Sequence, residues 1–264
     1  MLFLISPAKS LDYETRVPAA VLRHASEPRY LDQASQLISL MRKKTPAQVA
    51  ALMELSPALA KLNAARYAAW AREHKSPGAK PAVLAFDGDV YGGLAAKTLP
   101  TADLRWAQEH LVILSGLYGA LRPLDLLMPY RLEMGTALSN PRGRDLYAFW
   151  GDTVVEQLNA RQADEATPVV VNLASVEYAR VALRKSLRAR VVDCVFEDWK
   201  GGDFKIISFF AKRARGLMAR WAVQNRVRSV KKLEAFTAEG YTLDRSASVA
   251  DRLVFRRRVD DASA

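Results

Sequence analysis

One stretch, residues 111–135, limits the possible folds more than any other part of the chain. Its four apolar residues, 111–114, predict a buried strand, and the Ser-Gly and Tyr-Gly pairs that follow predict a loop. The loop carries Arg122, Asp125, Arg131 and Glu133 among mostly apolar residues. A charge in such surroundings must pair or face a cleft, because burying an unpaired ion is costly. The four residues therefore form either two structural ion pairs or an anion site whose arginines are oriented by Asp125 and Glu133.

Composition narrows the class of protein and of partner. Half of the 264 residues are hydrophobic, which is enough for a full core, and the net charge is +11. This excess indicates a polyanionic partner, unless it only keeps the surface soluble. The single cysteine, Cys194, excludes a disulfide framework and fits a reducing compartment. No segment is long and apolar enough for a signal peptide or a membrane span, so we expect a cytoplasmic protein without a membrane partner.

A second candidate anion site follows the first predicted strand, residues 1–5. The strand runs into a loop of small residues, 6–12, that carries Lys9. Backbone N–H groups and a lysine that converge at a strand end can bind an anion. The loop lacks the glycines of a Walker A motif, and a solvated lysine explains the same spacing.

Residues 32–75 predict a helical insert. Thr45-Pro46 and Ser56-Pro57 each combine an N-cap residue with a proline at the first helical position. Because these starts are only eleven residues apart, they predict a hairpin of short helices. The helix N-termini of such a hairpin could contact nucleic-acid phosphates, with support from Lys61 and Arg66. A plain three-helix cap on the core explains the same pattern.

The remaining pattern alternates strands with helices and predicts an α/β fold. We expect strands at 82–86, 168–175, 191–196 and 205–210, helices at 101–110, 146–158 and 177–187, and a final hairpin between 240 and 258. Asp87 and Asp89 flank a glycine after the strand at 82–86 and could bind a metal or cap a turn.

Residues 200–232 hold ten lysines or arginines against one acid, Asp203. Positions 210, 214, 217 and 221 follow a helical period and predict a core face, with a neighbouring stripe at 209, 213, 216 and 220. Gly216 within this stripe would let a backbone or a phosphate come close. The segment is therefore either a phosphate-contact surface or a solvated basic face. Its candidate residues are Lys205, Lys212, Arg213, Arg215 and Arg220.

The sequence offers little for a metal or a cofactor. His24, His74 and His110 are scattered, and no G-x-S-x-G, H-E-x-x-H, C-x-x-C or G-x-G-x-x-G motif occurs. We therefore predict no metal site and no cofactor, and no protein partner can be identified.

Several strings together resemble one known family, the YaaA peroxide-stress proteins, along nearly the whole chain. They are ISPAK at 5–9, FDGDVY at 86–91, LSGLYG at 114–119, LRPLD at 121–125, PYRLEMG at 129–135, FWGD at 149–152, NLAS at 172–175, FKIIS at 204–208 and AKRARGLMAR at 211–220. The resemblance implies a single domain over 1–264, with a central mixed β-sheet wrapped by helices around a positively charged cleft. It also implies DNA binding, helped by a helix-hairpin-helix motif at about 45–72, and protection from hydrogen peroxide by limiting free iron.

The resemblance places cleft residues at Lys9, Arg122, Arg131, Lys205, Lys212, Arg215 and Arg220. We therefore predict a DNA-binding protein that reads shape and backbone rather than sequence. Two alternatives remain open. An enzyme could act on a phosphorylated or nucleic-acid substrate around Lys9, which would then be buried or lie near other cations. A weaker alternative is direct sequestration of iron.

Overall fold

A computed structural model describes residues 1–75 and 78–258. The strands are β1 (Leu2–Ile5), β2 (Ser10–Leu11), β3 (Lys80–Pro81), β4 (Phe86–Asp87), β5 (Leu111–Ser115), β6 (Gly119–Leu121), β7 (Leu126–Leu127), β8 (Val169–Leu173), β9 (Arg190–Lys200), β10 (Asp203–Lys205), β11 (Thr242–Leu243) and β12 (Arg252–Arg257). The α-helices are α1 (Ala19–Leu22), α2 (Leu31–Arg42), α3 (Pro46–Met53), α4 (Pro57–Ala69), α5 (Ala82–Ala85), α6 (Asp89–Leu94), α7 (Thr101–His110), α8 (Leu146–Trp150), α9 (Thr153–Arg161), α10 (Val176–Ala182), α11 (Ser208–Gln224) and α12 (Val230–Leu233). None of the helices in these ranges is long and apolar enough to cross a bilayer.

A mixed eight-stranded sheet forms the centre of the described chain. Its order is β11-β12-β9-β8-β1-β5-β6, with β10 paired to β9. Strands β12, β9, β8, β1 and β5 run parallel, while β6, β10 and β11 pair antiparallel. Strands β1 and β5 are buried along their whole length, which is why each reads as an unbroken apolar run. The predicted mixed α/β fold is confirmed.

Most predicted elements are present, and four are corrected. The helix expected at 177–187 ends at Ala182. The segment 82–86 is the short helix α5 followed by β4, because its first N–H groups donate to carbonyls of Pro123 and Asp125. The helix expected at 146–158 breaks at Gly151, whose φ of 48° suits glycine. The strand expected at 205–210 ends at Lys205, and α11 begins three residues later.

Helices α3 and α4 of the helical insert begin where the sequence predicts. The hydroxyl of Thr45 accepts from the N–H of Gln48, whose side chain accepts from the N–H of Thr45 in return. The hydroxyl of Ser56 caps α4 in the same way. Helices α3 and α4 pack against each other, and α4 packs against α2. The insert is therefore a set of three short helices whose starts are encoded locally.

Helix α11 crosses the sheet and packs tightly on α6. A Cβ at Gly216 would lie 1.9 Å from the carbonyl oxygen of Val90, and one at Gly93 would lie 2.2 Å from that of Arg213. The close approach predicted for Gly216 is thus made by another helix backbone. This packing fixes α11 beside the loops that leave β1 and β4.

Candidate functional site

The topology of the sheet creates a crevice. The chain leaves β1 for β5 on one side and later returns to β8 on the other side. In open α/β sheets, ligands bind outside the carboxyl ends of the strands at such a reversal. Ser6 follows β1 and Ser175 follows β8, and the N–H of Ser175 donates to the Ser6 hydroxyl at 2.9 Å. A cleft of about 300 Å³ opens beside this pair.

Four basic residues that were predicted for the site line the cleft: Lys9, Arg131, Lys212 and Arg215. Lys9 comes from the loop after β1, and Arg131 from the loop after β7. Lys212 and Arg215 lie three residues apart on α11, so they share one face of that helix. Residues from distant parts of the sequence thus meet at one edge of the sheet.

Glu133 joins two of these cations. Its Oε2 lies 3.0 Å from Lys9 Nζ, and its Oε1 accepts from Nε and Nη2 of Arg131 at 3.1 and 3.0 Å. The fork of Arg131 is therefore held in place, as proposed for Glu133 from the sequence. The Lys9 side chain is 65% exposed. The enzyme hypothesis expected this lysine to be buried or to lie near other cations. Arg131, Lys212 and Arg215 do line the same cleft, but the exposure of Lys9 and its pairing with Glu133 count against catalysis through Lys9.

Arg215 is different from its neighbours. It is partly buried, yet within residues 1–75 and 78–258 its side chain has neither an ion pair nor a hydrogen bond. Burial lowers the pKa of its guanidinium, with no carboxylate to offset the effect. An arginine remains charged under these conditions, so Arg215 presents unpaired donors to the cleft.

Acidic side chains line the same cleft in equal number: Asp87, Asp89, Glu133 and Glu177. Glu177 accepts from the N–H of Gly135 at 2.8 Å. The lining is therefore of mixed charge. Within the described part of the chain, no group of three or more His, Cys, Asp or Glu side chains could hold a metal ion.

Buried tyrosines complete the walls. The hydroxyl of Tyr91 donates to the carbonyl of Ser6 at 3.1 Å, and that of Tyr130 lies 2.7 Å from the hydroxyl of Ser115. Burial raises the pKa of Tyr91, Tyr130 and Tyr178 above its ordinary value. All three hydroxyl groups therefore stay neutral at physiological pH.

Arg122 is separated from the cleft, which corrects the expectation from the motif. Its Nε lies 3.2 Å from Oδ1 of Asp125, and it borders a different depression with Gln108. Asp125 is buried and also accepts from the hydroxyl of Ser26 and the N–H of Arg122. The buried carboxylate holds the arginine at its own loop, so this pair is structural whereas Arg131 and Glu133 face the cleft.

Three basic residues of 205–220 also lie outside the cleft lining. Arg213 pairs with Glu239, with Nε 2.9 Å from Oε2. Arg220 donates to the carbonyls of Leu94 and Ala95, where it caps the end of α6. Lys205 is exposed on β10. On a helix, positions 213 and 220 share a face away from 212 and 215, which explains the separation.

The two hairpin candidates lie outside the cleft lining as well. Lys61 is exposed on α4. Arg66 is partly buried, its Nη1 donates to Asn63 at 3.3 Å, and burial lowers its pKa. Of this pair, only Lys61 is placed to meet a large partner.

The fold and the site together define a mixed α/β protein with a charged cleft at the carboxyl ends of its parallel strands. The chain belongs to the family described as peroxide stress protein YaaA, whose model matches residues 1–247. UPF0246 proteins of Leptothrix cholodnii, Albidiferax ferrireducens and Bordetella avium are 64%, 59% and 56% identical to it. These matches cover 99%, 98% and 98% of this chain and 100%, 98% and 100% of the relatives. The family resemblance read from the sequence is confirmed.

Proposed function

We propose that this protein binds and protects DNA during peroxide stress through the helical hairpin of α3 and α4. The exposed N-terminus of α4 carries the proposal. Ser56 and Pro57 lie in solvent, and the exposed Lys61 follows about one turn later. The dipole of a helix and a free N–H at its start, here that of Ala58 among the described residues, attract phosphate, and a nearby lysine adds to that attraction. Glu54 is the only acid between residues 46 and 69.

Recognition of this kind is directed at the DNA backbone. A hairpin that offers N–H groups and one lysine contacts phosphates, which carry no sequence information. The exposed Lys212 at the cleft rim adds a second phosphate contact. We therefore expect little sequence preference and a strong dependence on salt. The proposal includes a cytoplasmic location, as the resemblance implies.

The test is fluorescence anisotropy of labelled duplex, bulged and single-stranded DNA across a salt series. Each phosphate contact contributes about −0.9 to the log–log slope of affinity against salt on duplex DNA. Lys61→Ala and Lys212→Ala should each flatten the slope by about that amount. Lys185→Ala is the matched control, because Lys185 is an exposed lysine outside both surfaces, and it should leave the slope unchanged.

Two results would count against this assignment. Absence of binding at moderate salt would contradict DNA binding itself. Binding with wild-type slopes in both Lys61→Ala and Lys212→Ala would place the DNA on another surface of the protein.

The role in limiting free iron belongs to the same proposal and follows from the family resemblance. We assign no iron ligands, so the protein would act on iron levels without holding the metal. The iron content of dialysed protein, measured by mass spectrometry, should be far below one atom per chain. Stoichiometric iron would instead support direct sequestration.

A further inference from the structure

Four charged side chains of the cleft have neither an ionic partner nor a side-chain hydrogen bond within the ranges that the structure describes. Two are cations on α11, Lys212 and Arg215, and two are acids, Asp87 on β4 and Asp89 at the start of α6. Of the other charges, Glu133 pairs with Lys9 and Arg131, and Glu177 accepts from the N–H of Gly135. Because α6 and α11 pack directly on each other, both free pairs belong to one wall of the cleft.

Arg215 is the most informative member of this set. A partly buried guanidinium without a partner costs stability, and a protein usually removes that cost with an acid nearby. The free acids of the cleft lie on the adjacent element, yet neither is within ion-pair distance of Arg215. A charge kept unpaired in a concave site is typical of a ligand site, because the ligand supplies the missing partner.

We infer that the cleft binds a small molecule whose phosphate or carboxylate contacts Arg215 and Lys212 and whose amine or hydroxyl groups contact Asp87 and Asp89. A volume of about 300 Å³ suits a molecule the size of an amino acid derivative or a mononucleotide. A DNA duplex fits less well, because its continuous negative charge would face four carboxylates.

The position of the cleft supports the same inference. It lies at the reversal of strand order between β1 and β8, where open α/β sheets hold their ligands. The linked pair Ser6 and Ser175 adds two hydroxyl groups at this edge. The inference does not depend on DNA binding, whose main contacts we assign to the α4 N-terminus and Lys61. Lys212, at the cleft rim, is the one residue that both proposals use.

The experiment combines thermal unfolding with isothermal titration calorimetry on the full chain. The probes are inorganic phosphate, phosphoserine, aspartate, adenosine monophosphate and a short DNA duplex. The variants are Arg215→Met and the double change Asp87→Asn with Asp89→Asn. The matched control is Arg213→Met, two positions earlier on the same helix, whose guanidinium pairs with Glu239 outside the cleft. Arg215→Lys keeps the positive charge, so it helps to distinguish the loss of a ligand contact from a folding defect.

At least one small probe should bind the wild type and Arg213→Met alike. Arg215→Met should weaken that binding about tenfold or more, because it removes a charge-assisted hydrogen bond. Arg215→Lys should retain part of the affinity. The double asparagine variant should bind phosphoserine or adenosine monophosphate more weakly than the wild type does. It should bind inorganic phosphate as well as the wild type does, because that probe has no second polar end. Comparison of phosphoserine with aspartate separates a phosphate ligand from a carboxylate ligand.

The free protein offers an independent readout. Removing an unpaired, partly buried charge should raise the melting temperature of Arg215→Met without ligand, whereas Arg213→Met should not gain stability. The inference is overturned if no small probe binds at millimolar concentration, or if Arg215→Met and Arg213→Met lose affinity equally. It is also overturned if only the DNA duplex responds to Arg215→Met, because the cleft would then belong to the DNA surface.

Discussion

At the scale of single residues, the partly or wholly buried charges of this protein fall into a paired group and an unpaired one. Arg257 and Asp198 are a paired example, since Nε lies 2.6 Å from Oδ1 and their side chains are 11% and 2% exposed. The hydroxyl of Tyr241 donates to the other Asp198 oxygen at 2.7 Å. This network ties β12 to β9, while Arg215 lacks any comparable partner among the described residues.

We predict that Asp198→Asn lowers the free energy of unfolding by about 3 kcal/mol, because it leaves the buried Arg257 without a counter-charge. Asp251→Asn is the control, since Asp251 also pairs with an arginine, Arg190, but is 63% exposed. The control substitution should lower the free energy of unfolding by less than about 1 kcal/mol. Urea unfolding measures both values, and equal losses would show that burial of the pair does not matter.

His74 makes a pH-dependent contribution to the stability of the folded protein. Its Nε2 lies 2.9 Å from the hydroxyl of Tyr118, which already accepts from the indole of Trp70 and the N–H of Met128. Tyr118 therefore donates to Nε2, and His74 is neutral in the folded protein. Burial lowers the pKa of His74 to about 4 from its usual 6.5.

Because the unfolded chain takes up this proton first, stability should fall as the pH drops from about 6.5 to about 4. The loss attributable to His74 should approach about 3 kcal/mol. His74→Gln should unfold with a shallower pH profile in that window, while a substitution of the exposed His24 should keep the wild-type profile. Parallel profiles for wild type and His74→Gln, from urea unfolding at several pH values, would contradict the assignment.

At the scale of elements, the contact between α6 and α11 depends on two glycines. In an exposed helix, replacing glycine by alanine stabilises by up to about 1 kcal/mol. Gly93→Ala should do the opposite and cost several kcal/mol, because its Cβ would lie 2.2 Å from a carbonyl oxygen of α11. The neighbouring Gly92 is exposed, and a Cβ there meets nothing closer than 3.7 Å. Gly92→Ala should therefore be neutral or stabilising, and thermal unfolding of the two variants compares them directly.

Elements whose signals are local could be predicted from the sequence. Thr45 and Ser56 begin their helices where expected, because an N-cap and a following proline act within a single turn. The segment 82–86 was predicted wrongly, because five apolar residues cannot distinguish a buried strand from a buried helix. Its conformation depends on carbonyls of Pro123 and Asp125, which are distant in the sequence.

The candidate site shows the same division. Lys9, Arg131, Lys212 and Arg215 could be selected from their strings, since each lies at a strand end or on one helix face. Which of the other predicted residues lie in the cleft could not be decided from local sequence. Arg122 was placed there by motif, although the buried Asp125 holds it elsewhere.

Three acids of the cleft were not assigned to it from the sequence. Asp87 and Asp89 were interpreted as metal ligands or turn residues, and Glu177 was treated as an ordinary helix residue. Asp87 and Asp89 reach the cleft because α6 packs on α11, and Glu177 because β8 lies beside β1. The position of Glu177, in the first turn of the helix that follows β8, was the one available signal for its role.

At the scale of the whole molecule, composition predicted a folded protein with an excess of positive charge, but not where its charges lie. The net charge of +11 indicated a polyanionic partner, yet many arginines are engaged with acids in the fold. The basic stretch 200–232 is divided between the cleft, ion pairs and a helix cap. Strand order decides this division, and strand order depends on contacts between residues more than a hundred positions apart.

The central position of β1 also determines when the sheet can assemble during synthesis. β1 is translated first, but its neighbours β5 and β8 begin only at Leu111 and Val169. On the ribosome, its apolar residues therefore have no partner strand until β5 is made, and its other edge waits for β8. The closing strand β12 arrives later still, at Arg252. Such late, long-range pairing slows folding and leaves apolar surface of the nascent chain open to aggregation until the sheet is complete.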